Sequence, residues 1–394
     1  MTRPAHPAAV QRGYTLVELL IAAAIALAVM AAAAALFGLF GRAASQSQAI
    51  VDMGDRMRST TWRLRQDLAG ATSDLTPPGR PEDDAGYFEL IEGPRSDRDA
   101  AEGSADIQAD TDDVLLFTTR STGGPFVGKY GADFLESPVA EVAWFCRPAA
   151  EQPVPGLTLH NLHRRQLLVV GYVGVPPFLA NNNSLPATAP NTSLAAAWLT
   201  YDISMRTEGP APFAVFFPNT LGDLTRRECR FWHDAQTFPY AFQTATLDAA
   251  TFNNTLRAGE DIVLTNVIAF DVRAFDPTAA ARLASGVAVF PGDPGYETGD
   301  TSPVAKGAYV NRTFDTWSLH YEQNGLDEDG DGKVDEGFNG FDDNGDDLAD
   351  DAGERETSPP SPGPLRGLEV RVRCYEPTSR LVRQITVRHS FAAE

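Results

Sequence analysis

Between Asn324 and Glu356 the chain carries 14 acidic residues against Lys333 and Arg355, a net −12 out of a formal −21 for the whole chain. A repeat orders these acids: Asn-Gly-Leu-Asp-Glu-Asp-Gly-Asp-Gly-Lys-Val-Asp-Glu at 324–336 matches Asn-Gly-Phe-Asp-Asp-Asn-Gly-Asp-Asp-Leu-Ala-Asp-Asp at 339–351. Oxygen side chains at the first, third and fifth positions of a tight loop converge on one point. Asp327, Asp329 and Asp331 have that spacing, as do Asp342, Asn344 and Asp346. Carboxylates held so close repel one another unless a cation lies between them. Calcium takes about six to eight oxygens from carboxylates, carbonyls and water, whereas magnesium keeps its waters and demands stricter geometry. Backbone carbonyls of Lys333 and Leu348 stand at position seven. Asp335 or Glu336, and Asp350 or Asp351, are placed to close the two loops.

The two segments resemble the Asp-rich calcium loops of EF-hands and thrombospondin type 3 repeats, with one departure. The twelfth position, a Glu in EF-hands, holds Phe338 and Gly353, and flanking helical patterns are missing. The alternative is a solvated acidic loop, the common fate of charge runs. The acidity is local, which argues against a general affinity for cationic partners, and the overall charge disfavours nonspecific nucleic-acid binding. Basic residues cluster only at Arg226–Arg230 and near the C-terminus. His160-Asn161-Leu162-His163 has a metal-like spacing but lacks a Glu partner and a helical setting, so two strand or surface histidines are expected. There is no phosphate-cradling Gly-rich loop with Lys, no nucleophile elbow and no catalytic constellation. The sequence reads as a non-enzyme.

One further carboxylate stands out. From Tyr14 to Gly41 the only charged residue is Glu18. The run exceeds the about 20 apolar residues that cross a bilayer as a helix. A carboxylate in such a segment is costly and usually marks function. Before it lie Arg3, His6 and Arg12, with no acid, ending in Gly13. Positive charge on that side favours a cytoplasmic N-terminus with the remainder exported. A secretory signal peptide or a plain signal anchor shares the basic start and apolar core. Signal-peptide cleavage, however, would follow the core, near Met30, and neither alternative accounts for Gly13 and Glu18.

Arg12-Gly13-Tyr14-Thr15-Leu16-Val17-Glu18-Leu19-Leu20 resembles the type IV prepilin signature. The nearest likeness is to minor pilins or pseudopilins of the PilW and GspJ families. The resemblance implies cleavage after Gly13 by a prepilin peptidase and N-methylation of Tyr14. It also implies contact between Glu18 and the free amine of a neighbouring subunit. It places the protein in the bacterial inner membrane with its C-terminal domain in the periplasm. Other pilins or pseudopilins and an inner-membrane assembly platform would be its partners. The implied function is a structural minor subunit of a type IV pilus or of a type II secretion-like pseudopilus. A helix-anchored periplasmic enzyme or calcium-dependent adhesin with a prepilin leader is the alternative.

These sites need elements to position them. Ile50, Met53, Met57, Leu64 and Leu68 recur at helical spacing, while Asp52, Asp55, Arg56, Arg58, Arg63, Arg65 and Asp67 fill the other faces. One helix from Tyr14 to Leu68 is expected, with a break at Gly38 or Gly41 as the alternative. Trp62–Leu68 is similar to the end of this helix in GspJ-like proteins, and Val267–Arg273 and the Arg-rich final hairpin fit the same likeness. After Thr76-Pro77-Pro78-Gly79 the period changes to that of strands. They are expected at Tyr87–Ile91, Asp113–Thr119, Glu141–Cys146, Gln166–Val173, Trp198–Ser204, Ala214–Phe217, Val263–Phe275, Trp317–Tyr321, Leu368–Tyr375 and Leu381–Val387. Residues 176–193 read as an exposed loop, and the acidic segment as an interruption of a hairpin between Trp317–Tyr321 and Leu368–Tyr375. Cys146, Cys229 and Cys374 allow one disulfide in an oxidising compartment, although Cys146 and Cys374 also read as small buried hydrophobes. The resulting layout is a leader at 1–13, a transmembrane half-helix at 14–41 and an amphipathic half at 42–70. A β-rich exported domain at 71–394 follows, with the calcium-loop insert at 324–356. The class is α+β and pilin-like, a long N-terminal helix packed on an antiparallel sheet.

Overall fold

The computed structural model describes residues 14–77, 79–91, 93, 107, 109–179, 183–186, 193–208, 215–233, 260–284, 287–289, 300–310, 314–316 and 364–391. The chain divides into two units, 1–53 and 54–394. Helix α1, Leu16–Ala69, begins in the first and ends in the second. In the first unit it runs without a break through Gly38 and Gly41. Nothing lies within 4 Å of a Cβ placed at either glycine, so no close packing demands them, and the surrounding Ala and Leu residues are strong helix formers. Leu16, Leu19, Leu20, Leu27, Phe37 and Phe40 are all largely exposed.

In the second unit α1 turns one stripe inward. Met57, Thr60, Leu64 and Leu68 are buried, while Arg58, Arg63 and Arg65 face outward. The stripe meets Leu264, Val372, Ile385 and Val387 of the sheet. Thr60 Oγ1 donates to the carbonyl of Val263 at 3.0 Å. Burying Leu64 and Leu68 stabilises this contact by about 1.5–3 kcal/mol each. Asp67 departs from the expected solvent-facing pattern: it is buried, for a reason given below.

The main sheet is antiparallel throughout. Its strands are β1 (Phe88–Ile91), β2 (Val114–Arg120), β5 (Val139–Pro148), β6 (His160–Leu168), β10 (Glu260–Ala284), β11 (Val287–Val289), β12 (Asp300–Val310), β13 (Phe314–Asp315), β14 (Gly367–Glu376) and β15 (Leu381–Ser390). The order is β13-β1-β2-β5-β6-β10-β14-β15, with β11 and β12 added to β10. The sheet curls into a half-barrel. Phe391, just past β15, brings its ring centroid within 5.4 Å of that of Phe88 on β1. Central strands β2 and β5 are buried on both faces, which suits their nearly unbroken apolar sequences. Gly70 links helix to sheet: its carbonyl accepts from Arg120 N at 2.7 Å. A Cβ there would fall 2.1 Å from the Arg120 carbonyl oxygen, so only glycine allows the approach.

A second layer packs on the sheet around Val114, Phe145 and Leu167. It includes the hairpin β3 (Phe126–Tyr130) and β4 (Asp133–Ser137), the short helix α2 (Leu194–Trp198), and the small sheet of β7 (Leu185–Pro186), β8 (Met205–Glu208) and β9 (Val215–Pro218). Trp198, Tyr201, Phe216 and Phe231 join Val114, Phe145 and Leu167 in one core. Together the two units make an α+β, pilin-like fold with a long N-terminal apolar helix and an antiparallel β-domain.

Several expectations are corrected. The strand expected at Gln166–Val173 is β6, His160–Leu168. Trp198 ends a helix capped by Ser193, whose side chain accepts from Ala196 N, and does not start a strand. Residues 176–193 are not simply exposed: Phe178 and Leu185 are buried in the second-layer core. Cys146, Cys229 and Cys374 are buried free thiols, with no disulfide among them. The acidic segment does not interrupt a hairpin. β13 pairs with β1 at one end of the order, while β14 pairs with β10 and β15 at the other. Trp317–Tyr321 lies outside the described residues.

Candidate assembly site

Helix α1 opens with a reciprocal cap. The Glu18 carboxylate accepts from Thr15 N at 2.9 Å and from Thr15 Oγ1 at 3.0 Å. Glu18 N in turn donates to Thr15 Oγ1 at 3.3 Å, and Leu19 N to the Thr15 carbonyl at 3.1 Å. This is the Thr-x-x-Glu capping box. The first backbone N–H groups of a helix have no partner within it. In hydrocarbon each unsatisfied group would cost several kcal/mol. The spacing Thr15-Leu16-Val17-Glu18 was open to this reading, and the sequence argument for Glu18 as an intersubunit group missed it. Tyr14, which precedes the cap, is 86 % exposed. Gly13 lies outside the described residues. The most apolar window of α1 has a mean hydropathy of 2.7 and is entirely unburied, which makes the helix long and apolar enough to cross a membrane.

Other charges are enclosed and paired. Asp67 receives Arg164 Nε at 2.7 Å and Nη2 at 2.8 Å, and Trp144 Nε1 at 3.0 Å. Arg164 comes from β6 and Trp144 from β5, so one carboxylate near the end of α1 ties the helix to two strands. Arg230 Nη1 meets Glu89 Oε2 at 2.8 Å and Asp315 Oδ1 at 2.9 Å, while His233 Nε2 lies 3.1 Å from Glu89 Oε1. Burial opposes ionisation of Glu89, yet His233 and Arg230 overcome it and hold its carboxyl well below the usual range. Glu141 receives Tyr87 OH at 2.7 Å, Ser204 Oγ at 2.6 Å and Phe231 N at 2.9 Å. Burial nevertheless raises its pKa. Burial also pushes the Cys374 thiol up to about 12 and raises Cys146 and Cys229, which disfavours thiolate chemistry. These contacts fasten elements together.

An open groove of about 1000 Å³ lies between the last turns of α1 and the β3–β4 hairpin, lined by Trp62, Arg63, Gln66, Arg120, Phe134 and Asp261 among others. Among its polar groups, Asp67 is engaged with Arg164, and Lys129 Nζ with the carbonyl of Leu199 at 2.7 Å.

The expected histidines stand on β6, both buried. His163 Nδ1 lies 3.2 Å from Glu260 Oε1, and His160 Nε2 3.4 Å from Thr111 Oγ1. Among the described residues no group of three or more His, Cys, Asp or Glu is arranged to hold a metal. The twelve candidate calcium ligands, Asp327, Asp329, Asp331, Lys333, Asp335, Glu336, Asp342, Asn344, Asp346, Leu348, Asp350 and Asp351, lie outside the described residues. The described residues nearest that segment in sequence are Thr316 before it and those from 364 after it. Thr316 N donates to the Phe88 carbonyl at 3.1 Å and Gly79 N to the Thr316 carbonyl at 3.2 Å, while Leu365 N donates to the Leu75 carbonyl at 3.0 Å. Thr316 and Leu365 are therefore both held against residues 75–88.

Residues 9–34 match the family model of the prokaryotic N-terminal methylation motif. The match spans Gly13, Tyr14, the capping box and the first half of the apolar helix, and with that helix it supports a type IV prepilin-like N-terminal segment. No curated protein and no solved structure matches the chain.

Proposed function

We propose that the chain is a structural minor subunit of a type IV pilus or a type II secretion-like pseudopilus, of the PilW or GspJ kind, and not an enzyme. The observation that carries this reading is the methylation motif set at the head of an unburied apolar helix. A prepilin peptidase cleaves after Gly13, and Tyr14 becomes the methylated N-terminus. The helix holds the protein in the inner membrane with the β-domain in the periplasm until an assembly platform moves it into the fibre beside other pilins. Glu18 has two roles in this account. Within the subunit it caps α1 through Thr15; between subunits its charge meets the amine of a neighbour, since a carboxylate in lipid is stabilised by a cation at the same depth.

The two roles are separable. Glu18→Gln keeps a capping-box side chain and removes the charge. The expected result is normal membrane insertion with loss of co-purification with fibres. Normal fibre incorporation of Glu18→Gln would contradict an assembly role for the charge.

The acidic segment is proposed to bind two calcium ions, at Asp327, Asp329 and Asp331 and at Asp342, Asn344 and Asp346, with Lys333 and Leu348 carbonyls and the closing acids. Supporting this are the repeated spacing of the acids and the attachment of the flanking residues Thr316 and Leu365 to residues 75–88, which suits a compact ion-closed excursion.

A further inference from the structure

We propose that the groove between the last turns of α1 and the β3–β4 hairpin binds an uncharged oligosaccharide, with Trp62 and Phe134 as its stacking surfaces. Both rings line the groove, Trp62 from the helix and Phe134 from the hairpin. They are 60 % and 76 % exposed. An aromatic side chain left in water forgoes the burial that would stabilise it. One such residue alone on a surface needs no explanation. Two that line the same groove, contributed by separate elements, suit a ligand with a flat apolar face. The volume, about 1000 Å³, is at the top of the range of about 300–1,000 Å³ for ligand sites.

The polar lining selects the class of ligand. Among the described lining residues, four cationic side chains stand against five carboxylates. Three of the carboxylates are committed within the fold: Asp67 to Arg164, Glu260 to Arg147 at 2.9 Å, and Asp202 to the N–H of Lys129 at 2.8 Å. The exposed charges are Arg63, Arg120, Asp133 and Asp261, two of each sign. Such a lining concentrates neither anions nor cations. The exposed amide of Gln66 and hydroxyl of Thr122 offer neutral hydrogen bonds. A pyranose matches this mixture. Its C–H faces stack on the electron-rich faces of aromatic rings, and its hydroxyls bond amides and hydroxyls. An extended peptide would need an open strand edge. The outer edge of β3 is taken: the Val127 carbonyl accepts from Gln166 Nε2 at 3.1 Å, and the Lys129 carbonyl accepts from Asp202 N at 2.8 Å. From β4 only Asp133 and Phe134 are among the described lining residues.

The test is calorimetric titration of the full chain, in a detergent without a sugar headgroup, with uncharged tetrasaccharides of glucose, N-acetylglucosamine, mannose and galactose. Binding is read on the unassembled chain, so it stands or falls apart from the chain's place in a fibre. At least one tetrasaccharide should bind saturably, with an affinity that salt does not change. Trp62→Ala and Phe134→Ala should each weaken it by about tenfold. Trp62→Tyr, which keeps an aromatic face, should weaken it less. Tyr172→Ala, which removes an exposed ring outside the described lining, should leave it unchanged. Saturable binding by none of the four sugars, or equal binding by wild type, Trp62→Ala and Phe134→Ala, would overturn the proposal. So would salt-sensitive binding of tetragalacturonate alone, which would make the groove a site for anions. Loss of fibre incorporation in both alanine variants with sugar binding unchanged would overturn it too, because the two rings would then meet a neighbouring subunit.

Discussion

Asp67 and Arg164, 97 residues apart in the sequence, meet through two short bonds of 2.7 and 2.8 Å with both side chains almost fully enclosed. Removing one partner of a buried pair leaves an uncompensated charge and costs about 3–5 kcal/mol, whereas replacing both with apolar groups of similar size is often neutral. Asp67→Ala should therefore strongly lower the denaturant midpoint of the full chain in detergent. The double change Asp67→Leu with Arg164→Met should recover much of the loss. A single variant as stable as wild type would show that the pair does not fasten α1 to the sheet.

The inward stripe of α1 gives a second contrast. Leu64 is 1 % exposed and Trp62, two residues earlier, 60 %. Leu64→Ala should cost about 2–5 kcal/mol, and Trp62→Ala about 0.5 kcal/mol or less. Equal effects in thermal melts would mean that the helix end is not held as described.

Glu89 sets the behaviour in acid. Its carboxyl is lowered in the fold by His233 and Arg230 against the opposing effect of burial. A depressed carboxylate contributes stability that is present above the unfolded value, about pH 4.3, and lost as pH falls through the folded one. Glu89→Gln should lower stability at neutral pH and flatten the decline below about pH 4.3. An unchanged acid limb in the variant would remove Glu89 from this account.

The calcium proposal predicts ligand-linked stability. An ion that binds only the folded state adds about 2.7 kcal/mol at one hundred times its Kd. The full chain in detergent should melt higher in excess calcium than in chelator. Asp327→Ala with Asp331→Ala should abolish most of that shift. Asp342→Ala with Asp346→Ala should remove a smaller part, because Asn344 lowers the charge of the second loop. A melting temperature indifferent to chelator, with no heat of calcium binding, would leave the repeat as solvated acid.

Periodic features were legible because each residue announces its own face. Met57, Leu64 and Leu68 gave the stripe of α1, and the alternation of Leu368, Val370, Val372 and Cys374 gave β14. Features that depend on distant partners were not legible. Asp67 reads as solvent-facing until Arg164 is known to lie beneath it. The expected strand at Gln166–Val173 misses the first six residues of β6, because its buried positions there include His163, Arg164 and Arg165, polar residues whose partners are contributed by other elements, Glu260, Asp67 and Asp202 among them. The ion-pair cluster of Arg230, Glu89, Asp315 and His233 gave no local signal, since its members are scattered along the chain. The start of α1 was the most legible site: the residues that suggested the motif also form the cap.

The most direct test of the central claim is the intact mass of the protein extracted from membranes of the cells that express it with its processing machinery. The account predicts loss of residues 1–13 and the addition of one methyl group on Tyr14. A mature N-terminus beyond Ala31, or a full-length chain that begins at Met1, would contradict it.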